Sequence, residues 1–224
     1  MASYPSTVAS TTRGSALTTN KVLRNTYLLL AATLGFSALM AGVAMALNIA
    51  PLNPWITLIV YFGLLFGVSK TENSSMGLLF IFLLTGFLGF TLGPIVNLYL
   101  QFLPNGAQVV TMALGATAAS FVGLSAYAIK SEKDFSFMGG FLTIGIIGAF
   151  VLGIVALIFK LSMLSLVVSG MFVVVSGGLM LWQTSEIIRG GETNYIRATL
   201  TLYISIYNMF TSLLHLFGAA SGDD

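Results

Sequence analysis

The stretch "LTLYISIYNMFTSLLHLFG", residues Leu200 to Gly218, decides the fold. A segment of about 20 mostly apolar residues is enough to cross a bilayer. Yet this one carries Thr201, Ser205, Asn208, Ser212 and His215, spaced by 4, 3, 4 and 3 residues. At about 100° per residue those positions share an arc of roughly 80° on one helix face. Leu202, Ile206, Phe210, Leu213 and Phe217 occupy the other faces. A polar group turned to lipid goes unsatisfied, so the stripe must face protein or trapped water. The helix is therefore expected to be ringed by others or to line a cavity. Two readings stay open: interhelical glue at ~0.6 kcal/mol per contact, or a wet ion path. The stripe's one titratable member, His215, sits near the helix end, where an interfacial residue fits better than a proton relay.

Composition sets the surroundings. Of 224 residues, 57% are hydrophobic and 7% are charged, against about 25% charged in a soluble domain. The chain reads as an all-α, polytopic membrane protein. It has no cysteine, which excludes disulfides, Cys-ligated metals and a Cys nucleophile. Residues 1–20 stand apart, with nine Ser or Thr and few large apolar side chains. They are expected to form a disordered cytoplasmic tail, and they lack the apolar core of a signal peptide. Residues 21–218 form the membrane domain, and 219–224 a short C-terminal tail.

Seven spans are expected, at about Tyr27–Ile49, Pro54–Ser69, Met76–Leu100, Gln108–Ile129, Phe137–Phe159, Met163–Gln183 and Ala198–Phe217. Pro54 suits a first helical turn. With seven crossings, eight of the nine Lys and Arg residues fall on one side and only Lys160 on the other. Basic loops stay cytoplasmic, so the N-terminus is expected inside and the C-terminus outside.

Small residues suggest helix contacts. Gly86, Gly89 and Gly93 lie on the third span, Gly115, Ala119 and Gly123 on the fourth, and further glycines on the fifth and sixth. Pro94, after Gly93, is expected to kink the third span, with Thr91 or Asn97 able to serve the freed backbone group.

Four motifs in order, "GFLGFTLGPIVN", "MALGATAASFVGLSAYA", "FSFMGGFLTIGI" and "NYIRATLTLYISIYNMF", resemble the Bax inhibitor-1 family of seven-span proteins. The resemblance runs from about Thr19 to Gly218. It implies six helices wrapped around a central seventh. The opening "TNKVLRNTYLLLAATLGFSA" and the loop "IIRGGETNYIRAT" resemble a bacterial inner-membrane branch of that family. That narrower resemblance implies a partner: a membrane-anchored, ATP-dependent protease of the FtsH kind, which the protein would modulate.

The family also implies a pair of acids that latches the sixth helix to the seventh in calcium-leak members. The pair maps onto Gln183 and Ser205, neither of which is an acid. Two carboxylates sharing a site couple and titrate together; Gln and Ser do not titrate. A pH-gated calcium leak is therefore not expected, although a leak without the acid pair stays open as the alternative function. Hydrogen bonding by Gln183 and Ser205 could hold the two helices together permanently. The nearest acid, Glu186, could substitute for the lost pair or form a cytoplasmic edge pair with Arg189, and the edge pair is expected.

No enzyme signature is present: neither H-E-x-x-H, nor G-x-S-x-G, nor a phosphate-cradling loop. Ser125 and His215 would lie about 20–30 Å apart along the membrane normal, too far for a nucleophile and its base. No cofactor, metal or nucleic acid is implied.

Overall fold

A computed structural model describes residues 7–131 and 133–221, with side chains from Lys21 onward. Among the described residues it contains seven α-helices and no strand. They are α1 (Thr7–Ala46), α2 (Pro54–Thr71), α3 (Ser75–Phe102), α4 (Gly106–Ser131), α5 (Met138–Phe159), α6 (Ser162–Arg189) and α7 (Tyr195–Ser221). All seven contain a segment long and apolar enough to cross a membrane, that of α1 being Lys21–Ala46. Even α2, with 18 residues, reaches about 27 Å, close to the thickness of the hydrocarbon core.

Local chemistry sets the helix ends. Asn53 caps α2 by accepting a hydrogen bond from Trp55 N at 2.9 Å, and Pro54 follows as the first helical residue. Helix α6 runs six residues past the expected Gln183 because its apolar run and its backbone end at different places. It stops at Arg189 where Gly190 turns left-handed, at φ 78°. Gly190 N and Gly191 N then return to the carbonyls of Ile187 and Glu186. Helix α1 starts at Thr7, so the backbone of residues 7–20 is helical where a disordered tail was expected. Extending a formed helix is far less costly than nucleating one. Residues 1–6 and 222–224 lie outside the described residues.

Helix α7 is the central element. From Tyr195 to Ala219 only Arg197 is exposed. Its main neighbours are α6, α4, α1 and α3, while α2 packs on α3 and α5 on α6. The outer faces carry large apolar side chains such as Ile59, Ile144 and Val174, each more than 70% exposed. In water such a surface would aggregate; in a bilayer it is the lipid contact.

The glycines of α3 explain its closest contact. A Cβ at Gly89 would sit 2.1 Å from Ser37 O, and one at Gly93 2.4 Å from Ala41 O. The backbones of α1 and α3 meet there. Helix α3 continues unbroken through Pro94. Thr91 donates to Leu88 O at 2.9 Å, so its hydroxyl is used within α3 and does not serve the carbonyl that Pro94 leaves unpaired. The glycine stripe of α4 faces outward instead. Gly115, Ala119 and Gly123 are exposed, and nothing lies within 4 Å of a Cβ at Gly115 or Gly123. The packed face of α4 is the neighbouring one, with Val109, Ala113, Thr117 and Ser125.

A neutral polar core between the sixth and seventh helices

Side-chain hydroxyls on α7 fold back onto their own helix. Thr201 donates to Arg197 O at 3.2 Å, Ser205 to Thr201 O at 2.7 Å and Thr211 to Tyr207 O at 3.0 Å. Serine and threonine reach the carbonyl one turn back without any partner helix. Among the described residues no hydrogen bond joins Asn208, at the centre of the stripe, to another helix. Within the stripe the bond between helices comes from His215, whose Nδ1 lies 2.8 Å from Ser169 Oγ on α6. That distance would suit a nucleophile and its base, yet among the described residues no carboxylate pairs with the imidazole.

Gln183 and Ser205, at the mapped latch positions, are both buried, at 2% and 0% exposure. No hydrogen bond joins them among the described residues. Ser205 satisfies its own helix, and Gln183 Nε2 has no protein partner. Two further buried hydroxyls, Ser125 on α4 and Thr26 on α1, are also without one. Thr26 O accepts a hydrogen bond from Thr199 of α7 at 3.2 Å. Thr184 and Ser185 are buried beside Gln183. Ser185 Oγ donates to Lys133 O at 3.1 Å, fastening α6 to the α4–α5 connection. Around Gln183 and Ser205 this core offers neutral donors and acceptors only, so the latch positions themselves cannot exchange a proton at accessible pH.

The charged groups gather at the end of the bundle where α7 begins. Asn194 caps α7, its Oδ1 accepting from Ile196 N at 2.9 Å and Arg197 N at 3.2 Å. Its Nδ2 donates to Glu72 O at 3.0 Å and Asn73 Oδ1 at 2.9 Å. Arg197 bonds the Glu72 carboxylate through Nη2 and, at 3.1 Å, through Nε. Glu192 lies 3.9 Å from the same Nε. The α2–α3 turn is thereby fastened to the first turn of α7. The hydrogen bond from Arg197 holds the Glu72 carboxyl below the usual glutamate range, against the opposing effect of burial. The sequence reading missed this cluster. Its one visible trace was an Asn placed before an apolar run.

Arg189 Nη2 lies 3.2 Å from Asp134 Oδ2 across the α4–α5 connection. Hydrogen bonds from Ser136 are the main reason the Asp134 carboxyl is lowered, with Arg189 contributing less. Glu186, the expected edge partner, sits in the last turn of α6. Its carbonyl accepts from Gly191 N at 2.9 Å and Glu192 N at 3.1 Å. Among the described residues no group of His, Asp and Glu could hold a metal ion.

Comparison with known proteins places these features in context. The family model described as "Inhibitor of apoptosis-promoting Bax1" matches residues 19–222. A protein of Escherichia coli strain K12 named "Modulator of FtsH protease YccA" is 48% identical, over 94% of this chain and 95% of its own. An uncharacterized protein of Pseudomonas aeruginosa is 51% identical over 91% of each chain. A relative in Neisseria meningitidis serogroup B is 34% identical, over 92% of this chain and 93% of its own.

Proposed function

The chain belongs to the Bax inhibitor-1 family, and on that premise we propose that it is an inner-membrane modulator of a membrane-anchored, ATP-dependent protease of the FtsH kind. It acts by binding rather than by catalysis. The observation that carries this reading is the nearly full-length similarity to a protein named as such a modulator. The N-terminus lies on the cytoplasmic side, where the basic loops cluster. A processive protease needs a handle that unfolds easily, and residues 1–20, rich in Ser and Thr, supply one. Residues 7–20 extend α1 as helix, and the first N–H groups of a helix have no partner within it. Behind it, α1 is held to α3 by backbone contacts at Gly89 and Gly93. A substrate that is engaged readily and extracted slowly occupies the enzyme and so restrains it.

Two measurements test the proposal. Full-length protein should co-purify with the protease from native membranes. Deleting residues 2–20 should lengthen the protein's lifetime in cells while leaving the bundle folded. Equal lifetimes for the two forms would refute the handle. Failure of both forms to co-purify would refute the partnership and favour the leak-channel alternative.

A further inference from the structure

Two cavities open side by side at the end of the bundle where α5 passes into α6. One, of about 550 Å³, is lined by Lys160, Ser162, Ser165, Ser169, Ser212 and His215, among others. The other, of about 340 Å³, lies between α2, α3 and α5, with Leu58, Ile95, Phe150 and Ile154 in its wall. Gly153, Leu157 and Phe172 belong to both walls.

The two chambers differ in chemistry. In the smaller, Thr57 donates to Asn53 O at 3.2 Å and Thr91 to Leu88 O at 2.9 Å. With those hydroxyls engaged, and Tyr207 the one other polar side chain in its wall, the chamber is a largely apolar slot. In the larger, Ser165 bonds Ser162 O at 2.8 Å and Ser169 bonds Ser165 O at 3.0 Å. Ser212 is different. It is 6% exposed, lines the chamber, and has no hydrogen-bond partner among the described residues. Lys160, exposed at the rim, is the cation there, and the lining contains no acid. Helix α6 begins beside it at Ser162 with no side-chain cap, leaving first-turn N–H groups open.

An anion suits the larger chamber and a hydrocarbon tail the smaller. We propose that this double cavity binds an anionic phospholipid, with its phosphate facing Lys160, Ser212 and the start of α6 and one acyl chain in the apolar slot. The position fits, because Lys160 lies in the short connection between two spans, at headgroup depth. An amphiphile that already forms the surrounding solvent needs no entry path. A free phosphate would leave the apolar slot unused.

The test uses full-length protein in detergent, with phosphatidylglycerol and phosphatidylcholine of matched acyl chains added separately and retention read by native mass spectrometry. The wild type should retain phosphatidylglycerol preferentially. Lys160 has φ 51°, a conformation asparagine tolerates, so Lys160→Asn removes the charge without straining the turn. It should reduce phosphatidylglycerol retention about fivefold, as expected for one cation near a headgroup. Lys130→Asn, in the last turn of α4, should leave retention unchanged. Equal retention of the two lipids by the wild type would overturn the proposal. So would unchanged phosphatidylglycerol retention in both Lys160→Asn and Ser212→Val. Displacement of the lipid by equimolar inorganic phosphate would show a free-anion site instead, and would overturn the lipid assignment.

Discussion

Ser37 Oγ on α1 lies 2.6 Å from Tyr203 Oη on α7, deep inside the bundle. Tyr203 donates onward to Thr85 O on α3 at 3.2 Å, so its hydroxyl accepts from Ser37. One phenol thus ties three helices, at a residue that is 1% exposed. Tyr203→Phe removes both bonds and leaves Ser37 and Thr85 O without this partner. The expected cost is about 1–2 kcal/mol, measured as a lower midpoint of thermal unfolding in detergent. Ser37→Ala should cost less, because Tyr203 keeps its bond to Thr85 O.

The glycines give a paired expectation. Gly89→Ala would press a methyl against Ser37 O at 2.1 Å and force α1 away from α3, at a cost of about 1–3 kcal/mol. Gly115→Ala meets open space. It should be neutral or stabilising, by up to about 1 kcal/mol from helix propensity. Unfolding midpoints of the two variants should move in opposite directions, or the second should not move.

The Glu72–Arg197 pair sets an acid limit. The folded carboxyl is lowered below its unfolded value, which is about 4.3. Its contribution is therefore complete above that value and lost as pH falls through the folded one. In a pH series of unfolding midpoints, Glu72→Gln should lower the neutral plateau by about 1 kcal/mol and flatten the decline at the acid end. An unchanged acid limb would assign that decline to other carboxylates.

Reconstituted in liposomes, the protein should show no calcium flux that responds to pH between about 6 and 8, because Gln183 and Ser205 do not titrate there. The double variant Gln183→Asp, Ser205→Asp should introduce such a response. A pH-gated flux in the wild type would remove the neutral core as an explanation.

Much of the fold is legible in the sequence alone. All seven spans and the proline start of α2 follow from apolar runs and turn chemistry. The burial of α7 follows from its polar stripe. What periodicity could not give was partner and direction. It put Gly115, Ala119 and Gly123 on one face of α4, but a row of small residues suits lipid as well as a neighbouring helix. It placed Thr201 and Ser205 on a shared stripe, yet their hydroxyls bond the preceding turn. The Ser37–Tyr203 bond links residues 166 positions apart, between residue types that occur throughout the chain, so no local pattern marks it. The site positions Gln183 and Ser205 were found by resemblance; their burial and lack of a mutual bond required the structure.

The central place of α7 has a consequence for biosynthesis. Of the seven helices it is made last, yet α1, α3, α4 and α6 all pack against it. Until α7 is in place, the faces that these four turn toward it have no partner. The faces left open in that interval include buried polar groups such as Thr26, Ser125 and Gln183. A nascent chain halted before residue 195 would keep every earlier span and still have no core to close around. The bundle can close only once α7 has joined it.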